Sequence, residues 1–275
     1  MKQPLVSVIM SVYNEKEEWL KESIESILNQ TYKNIEFILI IDDPQQQHLI
    51  SIIEHYSRND ERIQYYINEK NSGLVYSLNK AINLSKGEFI ARMDADDIAY
   101  LNRIELQINY LLNHQDVCLV GSQMELVDEI GNRLSKKSNF PNHYRKIAIL
   151  LKYSNVFCHP SLVFRSDFIK NMNGYREIKY AEDYDLLCRT IIGGYKVANL
   201  SQVLIKYRIR MNSVTRKHNY IQMNSDLYIK KYYKNSEFIP QDIYDNKKKL
   251  TFYRKMLTKK NLAIYKTLNC FMKDI

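Results

Sequence analysis

The first hundred residues alternate between short apolar runs and longer stretches whose apolar residues recur every three or four positions. Such spacing is typical of amphipathic helices, which we expect to begin near Asn14, His48 and Leu74. Strands that alternate with helices of about ten residues indicate βαβ units and a parallel sheet. The chain is therefore predicted to be an α/β protein with a Rossmann-like, mostly parallel sheet flanked by helices. The four apolar runs with the length of buried strands are residues 5–12, 35–41, 63–67 and 88–93.

The pattern is less regular beyond residue 98. We expect a helix that opens at Glu182 and ends near Gly193, followed by an extended segment over 198–208. This second half is predicted to form the acceptor side of a two-part site. The other elements expected here are a helix over 103–112 and strands over 117–122 and 162–165.

A chain of 275 residues is long enough for one large α/β domain and an extension. It contains no run of about 20 apolar residues, and its start runs straight into a strand rather than a signal peptide, so we expect it in the cytoplasm. The cysteines are far apart and form no CxxC pair, which argues against a zinc site or a disulfide framework. They are interpreted as core thiols: Cys118, Cys158, Cys188 and Cys270.

The net charge of +9 lies entirely in the last sixty residues. Residues 216–275 hold 14 Lys and Arg against 5 Asp and Glu, whereas residues 1–215 hold 26 of each kind. The basic residues alternate with tyrosines and large aliphatic residues, and on helices this mixture suits an anionic membrane surface, at roughly 1 kcal/mol per basic residue. A solvated helical face folded back on the body is an equal alternative. Nucleic acid is not expected as a partner, because no reader motif accompanies the charge.

Three carboxylates follow the apolar run that ends the fourth strand: Asp94, Asp96 and Asp97. The carboxyl end of a parallel strand is where α/β sheets bind ligands. Because unpaired buried carboxylates are costly, a divalent cation that carries a diphosphate is their natural partner. The segment therefore predicts metal-assisted chemistry on a nucleotide.

Less specific interpretations compete with the metal site. Asp97 is expected to cap the following helix, Asp94 is compatible with an Asx turn, and Asp96 with a solvated loop acid. An EF-hand fails because Ile98 has no side-chain oxygen and Ala99 replaces the required glycine. A haloacid-type phosphatase fails because its aspartate pair follows the first strand, where this chain has none.

Several short motifs follow one another along the chain: Ser-Val-Tyr-Asn-Glu (11–15), Ser-Ile-Leu-Asn-Gln-Thr-Tyr (26–32), Ile-Asp-Asp (41–43), Asn-Ser-Gly-Leu (71–74), Lys-Gly-Glu-Phe-Ile-Ala-Arg-Met-Asp-Ala-Asp-Asp (86–97), His-Pro-Ser (159–161), Glu-Asp-Tyr-Asp-Leu (182–186) and Tyr-Arg (207–208). In their order and spacing, these motifs resemble the family 2 glycosyltransferases of the GT-A fold. The resemblance runs from residue 6 to about residue 215. It predicts one domain over 1–215, with a nucleotide-binding half at 1–97 and an acceptor half at 98–215. Residues 216–275 would be a basic, mainly helical extension.

The resemblance implies a UDP-sugar donor held together with Mn²⁺ or Mg²⁺. Asp96 would bind the metal, with Asp94 on the ribose side and beside the metal, and Arg92 and Arg103 are expected to be structural partners of these acids. One of the paired aspartates after the second strand would accept the uracil imide hydrogen. The residues implied in nucleotide binding are Val12, Tyr13, Glu15, Asp42, Asp43, Gly73 and Asp94.

On the acceptor side, the resemblance implies that Asp183 is the general base of an inverting transfer. Glu182, His159 and Arg189 are expected nearby, with packing as the alternative role for Arg189 and a structural role for His159. The acceptor would be a glycan or a polyprenyl-diphosphate-linked sugar of capsule, O-antigen or lipooligosaccharide synthesis. The enzyme would then lie on the inner face of the cell membrane.

The chain departs from the family pattern at several positions. Pro44-Gln45-Gln46 replaces Gly-Ser-Thr, and Leu187 stands where many relatives carry Trp. Arg210 takes the place of a frequent His, where it would neutralise the diphosphate, and His218 is a possible substitute for that His. Two alternatives stay open: a nucleotidyltransferase, although the Gly-rich loop is missing, and a noncatalytic nucleotide-binding scaffold.

Overall fold

The structure, a computed structural model, describes residues 3–134, 137–151, 153–210 and 219–232. Strands and helices alternate strictly as far as the fourth strand, as the apolar pattern predicts. The strands are β1 (Val6–Val12), β2 (Ile35–Ile41), β3 (Ile63–Ile67), β4 (Phe89–Asp94), β5 (Ile98–Ala99), β6 (Val117–Val127), β7 (Val163–Arg165) and β8 (Lys196–Arg208). The helices are α1 (Glu17–Leu28), α2 (Gln47–Asn59), α3 (Leu74–Leu84), α4 (Arg103–Asn113), α5 (Tyr144–Leu150), α6 (Ser166–Asn171), α7 (Glu182–Ile192) and α8 (Asn219–Tyr232), with a 3₁₀ turn at His159–Ser161.

The eight strands form one mixed sheet in the order β3-β2-β1-β4-β7-β6-β8-β5. The first four in this order are mutually parallel, which confirms the Rossmann-like half. β7 is antiparallel to both β4 and β6, and β8 runs parallel to β6. The carboxyl ends of β4, β6 and β8 therefore lie at the same edge of the sheet.

Alternating side chains of the buried strands pack into two apolar clusters, one on each face of the sheet. On β1, Val8 and Met10 face the cluster that includes Leu20 and Ile24 of α1. Ile9, between them, faces the opposite cluster, which includes α3 and α7. The helices bury one face each, because their apolar residues recur at helical spacing.

Glu36 ties the amino-terminal ends of three strands together. Its buried carboxylate accepts hydrogen bonds from the Ser7 hydroxyl (2.6 Å) and from the backbone N–H groups of Lys86 (2.7 Å) and Gly87 (3.2 Å). A Cβ atom on Gly87 would lie 2.6 Å from the Ser7 backbone nitrogen and 2.8 Å from the Leu5 oxygen. Only glycine fits this close approach of two backbones.

The second half contains elements that the sequence pattern did not reveal. These are α5, α6, the 3₁₀ turn and β5, and β6 continues five residues beyond its expected end at Ser122. β5 is only two residues long and pairs with Ile205 and Lys206 of β8. Elements this short leave almost no periodic pattern in a sequence.

Only part of the predicted extension can be compared with the structure. α8 lies within residues 216–275, whereas His218 and residues 233–275 are outside the described part of the chain. Among the helices that the structure describes, none combines the length and the apolar character needed to cross a bilayer.

Substitution of Gly87 by alanine is expected to destabilise the protein by about 1–3 kcal/mol, because a backbone contact has to be forced apart. Chemical denaturation monitored by circular dichroism measures the difference. The matched control is Lys86→Ala, since the Lys86 side chain is exposed and only its backbone contacts Glu36. Equal free energies of unfolding for the two variants would contradict this account of the sheet edge.

Candidate active site

β4 ends in a cluster of three carboxylates at the carboxyl edge of the sheet. Asp94, Asp96 and Asp97 each place a carboxylate oxygen within 4.8 Å of the others. Asp96 and Asp97 are 7% and 1% exposed. Three like charges this close repel one another strongly where water is excluded, so the arrangement requires positive charge nearby.

Two arginines supply part of that positive charge, and a third contributes a backbone hydrogen bond. Arg92 of β4 forms an ion pair with Asp94. The Arg210 guanidinium lies 2.7 Å from Asp96. The backbone N–H of Arg208 donates to Asp97 at 2.8 Å. Arg208 and Arg210 reach the cluster because β8 ends at the same edge as β4.

The compensation is incomplete. Burial, with the Asp94 carboxylate as the next cause, raises the pKa of Asp96 to about 7, and Arg210 opposes this shift. Burial and the two neighbouring acids raise the pKa of Asp97 well above its usual value. The Oδ2 atom of Asp97 is buried without a hydrogen-bond partner. A divalent cation that prefers oxygen ligands, such as Mn²⁺ or Mg²⁺, fits this donor set.

The position of Asp97 corrects one expectation. Asp97 does not cap the following helix, since β5 comes between them and α4 begins only at Arg103, after Asn102. Arg103 likewise forms no ion pair with the acids. Its guanidinium donates to the Arg92 carbonyl at 2.6 Å and to Gln107 at 3.1 Å.

The two aspartates that follow β2 make different hydrogen bonds. The buried carboxylate of Asp42 accepts hydrogen bonds from the backbone N–H groups of Ser72 (3.0 Å) and Gly73 (2.8 Å) and from the Ser77 hydroxyl (3.0 Å). It therefore fixes the loop before α3, where Gly73 adopts a φ of 88°. The half-buried Asp43 accepts from the Gln45 N–H at 3.0 Å.

The end of β1 and the loop after it carry the other predicted nucleotide-binding residues. Val12 accepts a hydrogen bond from the Asp42 N–H (2.7 Å), and Tyr13, 45% exposed, donates its N–H to Glu15 (2.8 Å). Burial raises the pKa of Glu15, and charges on Arg210 and Asp94 also act on it. The structure therefore brings the predicted nucleotide-binding residues together at the carboxyl edge of the sheet.

A second pair of acids opens helix α7. The Asp183 carboxylate accepts hydrogen bonds from the Asn155 side chain and from the Tyr184 N–H, both at 2.7 Å. Burial raises the pKa of Asp183. Burial and the Asp183 charge raise the pKa of Glu182 to about 7. Asn155 belongs to no recognised motif, so the sequence carried no signal for this contact.

Arg92 connects the two groups of acids electrostatically. It is 2% exposed, and its charge acts on Glu182 and Asp183 as well as on the β4 cluster. Its Nε and Nη1 atoms are buried without hydrogen-bond partners. A buried cation among five carboxylates keeps both acid groups more easily ionised than they would otherwise be. Arg92 was expected to be a structural partner of the acids after β4, and it also acts on the acids of α7.

His159 and Arg189 both make hydrogen bonds within the protein. The His159 ring bonds the Tyr175 hydroxyl at 2.9 Å, and burial, reinforced by Arg92, lowers its pKa well below the usual value, so the ring is neutral. The Arg189 guanidinium donates to Asp185 (2.9 Å) and to the carbonyls of Met172 (2.9 Å) and Gly174 (2.6 Å). Of the two expected roles for Arg189, the structure favours packing over contact with the acceptor.

Leu187 is completely buried in the cluster on the α7 face of the sheet. The position where many relatives carry Trp is therefore a core position in this chain. Stacking of an acceptor sugar on this side chain is excluded by its burial.

Comparisons with known proteins agree with this geometry. The family model described as glycosyl transferase family 2 matches residues 7–171. An uncharacterized glycosyltransferase of Methanocaldococcus jannaschii is 37% identical over 246 residues, which cover 89% of this chain and 84% of that protein. The O-antigen biosynthesis glycosyltransferase WbnJ of Escherichia coli is 37% identical over 214 residues, which cover 77% of this chain and 82% of that protein.

Two solved structures share the fold. S. aureus TarS 1-349 in complex with UDP-GlcNAc aligns with a TM-score of 0.68 at 18% identity, over 94% of this chain and 74% of that one. The mannosyltransferase PcManGT from Pyrobaculum calidifontis, in complex with GDP-Man and Mn²⁺, aligns with a TM-score of 0.66 at 14% identity, over 94% of this chain and 71% of that one. At these identities the likeness concerns the fold, which is GT-A-like. Because the family model covers more than half of the chain and two relatives exceed 30% identity over most of it, the chain belongs to glycosyl transferase family 2.

Proposed function

We propose that the protein is an inverting, metal-dependent glycosyltransferase that moves a hexose or N-acetylhexosamine from a UDP-sugar to a glycan or lipid-linked acceptor. The observation that carries this proposal is the pairing of two acid groups across Arg92. One group, at β4, has an unpaired buried oxygen, and the other opens helix α7. The first suits a metal and diphosphate, and the second suits a proton acceptor.

On the donor side, Asp94, Asp96 and Asp97 would hold the metal, which when bound neutralises the diphosphate and stabilises UDP as a leaving group. Val12, Tyr13, Glu15, Asp43 and the loop held by Asp42 would surround the nucleoside. Arg210 would lend its charge to the diphosphate. The TarS complex with UDP-GlcNAc supports a nucleotide-sugar donor, and the PcManGT complex supports Mn²⁺ as the cation.

On the acceptor side, Asp183 would accept the proton of the attacking hydroxyl group. The acceptor oxygen forms a bond to the anomeric carbon as the bond from that carbon to the UDP oxygen breaks. The proton passes to the Asp183 carboxylate, and the electron pair leaves with UDP. A single displacement inverts the anomeric centre, so an α-linked donor gives a β-linked product.

The biological setting is proposed from the relatives. WbnJ is described as an O-antigen biosynthesis glycosyltransferase, and an Erwinia amylovora relative as an amylovoran biosynthesis glycosyltransferase. We infer a role in surface polysaccharide synthesis with an acceptor at the inner face of the cell membrane. The basic residues beyond α8 would attach the enzyme to anionic lipid.

Substitutions in the two acid groups are expected to impair different properties, UDP binding in one case and turnover in the other. Asp96→Ala should weaken UDP binding in the presence of Mn²⁺ at least tenfold, because a metal ligand is lost. Asp183→Asn should keep that affinity but lower turnover by ~10²–10⁴-fold, the usual contribution of a general base. Titration calorimetry with UDP and Mn²⁺ measures binding, and release of UDP from a panel of UDP-sugars measures turnover. Asp116→Asn, an exposed acid at the opposite edge of the sheet, is the control.

Wild-type turnover in both variants would refute the assigned roles. Absence of any mutual dependence between Mn²⁺ and UDP in the wild-type protein would refute the donor site itself.

The pH profile should report the Asp183–Asn155 hydrogen bond. Asp183 has to be ionised to act as a base, so activity is lost as the pH falls through its raised pKa. The Asn155 amide stabilises the ionised form, and Asn155→Ala should therefore raise the pKa further. A hydrogen bond to a charged group contributes about 1.5–3 kcal/mol, so the acidic limb of kcat/KM should move up by about one pH unit or more. An acidic limb at its original pH, with activity otherwise intact, would show that another group sets the profile.

Membrane attachment predicts that a chain ending at residue 232 loses affinity for vesicles that contain anionic phospholipid. Residues 233–275 contain 10 Lys and Arg against 4 Asp and Glu, so their removal abolishes most of the attraction. Sedimentation with anionic and with zwitterionic vesicles measures the difference, and retained UDP–Mn²⁺ binding shows that the truncated protein is folded. Unchanged partitioning would refute attachment through these residues.

A further inference from the structure

Helix α8 is packed against the domain that it follows. Ile229 is 3% exposed and lies in the same apolar cluster as Leu186, Leu187 and Cys188 of α7. Tyr228 beside it is 7% exposed. Burial of such side chains stabilises the docked helix. A helix from the region beyond residue 215 is therefore part of the acceptor half.

Two polar contacts fix where α8 lies along α7. The Ser225 hydroxyl donates to the carbonyl of Lys179, in the loop before α7, at 2.8 Å. The Lys230 ammonium lies 5.9 Å from the centre of the Tyr184 ring. Tyr184 directly follows Asp183. The turn of α8 between these two contacts therefore runs beside the first turn of α7, where Glu182 and Asp183 lie.

That turn of α8 presents one acid and one base. Asp226 and Lys230 are four residues apart, so they occupy the same side of the helix. Both side chains are only partly exposed. Within the described part of the chain, neither side chain forms a hydrogen bond or an ion pair with the other or with any other residue.

Asp226 lies within electrostatic reach of Asp183, and Lys230 lies over the ring of the neighbouring Tyr184. Burial raises the pKa of Asp226 to about 7, with the Asp183 charge contributing and Lys230 opposing. Burial lowers the pKa of Lys230, while Asp226 and Cys188 act in the opposite direction. Partly desolvated ionisable groups that have no hydrogen bond or ion pair among the described residues are characteristic of binding sites, because a ligand can supply the missing hydrogen bonds.

We propose that Asp226 and Lys230 of α8 bind hydroxyl groups of the acceptor sugar and thereby determine which acceptor hydroxyl reaches Asp183. A sugar hydroxyl both donates and accepts, so it can donate to the Asp226 carboxylate and accept from the Lys230 ammonium. The assignment rests on the proposed glycosyl transfer, since it concerns the acceptor of that reaction. It gives the region beyond residue 215 a share in specificity.

The test compares Asp226→Asn and Lys230→Met with the wild-type full-length protein. Acceptors are n-octyl glycosides of common hexoses and N-acetylhexosamines, each assayed at saturating UDP-sugar and Mn²⁺. Each substitution should raise the KM for the acceptor at least tenfold and leave kcat within about threefold. Titration calorimetry should show UDP–Mn²⁺ affinity within twofold of the wild type, because the donor side is untouched. Lys230→Arg, which keeps the charge, should retain more of the acceptor affinity than Lys230→Met.

Asp116→Asn and Lys196→Met are the matched controls. They make the same changes in an exposed acid–lysine pair, 2.7 Å apart, at the opposite edge of the sheet. Both controls should leave every parameter unchanged. Thermal denaturation identifies a variant that has lost its fold. If Lys230→Met is unfolded, the acceptor KM of the isosteric Asp226→Asn variant provides the test.

An unchanged acceptor KM in Asp226→Asn and Lys230→Met, with transfer by the wild type intact, overturns the proposal. So does a loss of UDP–Mn²⁺ affinity in these variants, which would place the pair on the donor side. A different result would refute the proposed function itself: wild-type protein that neither binds UDP with Mn²⁺ nor releases UDP from any sugar nucleotide. These two measurements need no acceptor, so they are independent of Asp226 and Lys230. Wild-type protein that turns over a UDP-sugar but shows no saturation-transfer NMR signal from any octyl glycoside contradicts only the assignment of Asp226 and Lys230.

Discussion

Repulsion among carboxylates at one edge of the sheet is the constraint on which the arrangement of this protein depends. Five acids from β4 and α7 lie within electrostatic reach of the buried cation of Arg92. Such a concentration of buried charge destabilises the folded protein, and burial of the apolar sheet beneath it offsets this loss. Arg210 adds positive charge beside Asp96 and the Arg208 backbone N–H donates to Asp97, but Asp97 keeps an unpaired oxygen. The acids at this edge therefore outnumber the cations beside them, and a bound metal would supply further positive charge.

The two edges of the sheet show opposite solutions to the same problem. At the amino-terminal edge, the buried acid Glu36 accepts hydrogen bonds from Ser7, from Gln64 and from the backbone at 86–87. That edge is closely packed, since a Cβ atom at Gly87 would lie 2.6 Å from the Ser7 backbone nitrogen. At the carboxyl edge, Asp97 keeps an unpaired oxygen, and burial raises the pKa of both Asp96 and Asp97. Groups that the fold itself leaves unsatisfied are those available to ligands.

The irregular second half brings the remaining charges to this edge. β7 is antiparallel to β4 and β6, so β6 and β8 run in the same direction as β4. This brings Arg208, at the end of β8, and Arg210, just beyond it, to the acids that follow β4. α7 places Asp183 on the facing side, and α8 covers the first turn of α7. The two acid groups therefore come from separate parts of the chain and meet because of the mixed sheet.

The sequence by itself determined the family, the α/β class and the strands β1 to β4, since buried strands and amphipathic helices leave strong periodic patterns and the acids follow β4 directly. It did not reveal β5, the free oxygen of Asp97, the contact between Asn155 and Asp183, or the inward-directed donors of Arg189. These depend on contacts between residues that lie far apart in the chain, such as Asp97 with Arg208, 111 positions away. A local pattern carries no record of such contacts, so only the tertiary structure decided which acids are paired, which are left open, and which helix lies beside the candidate base.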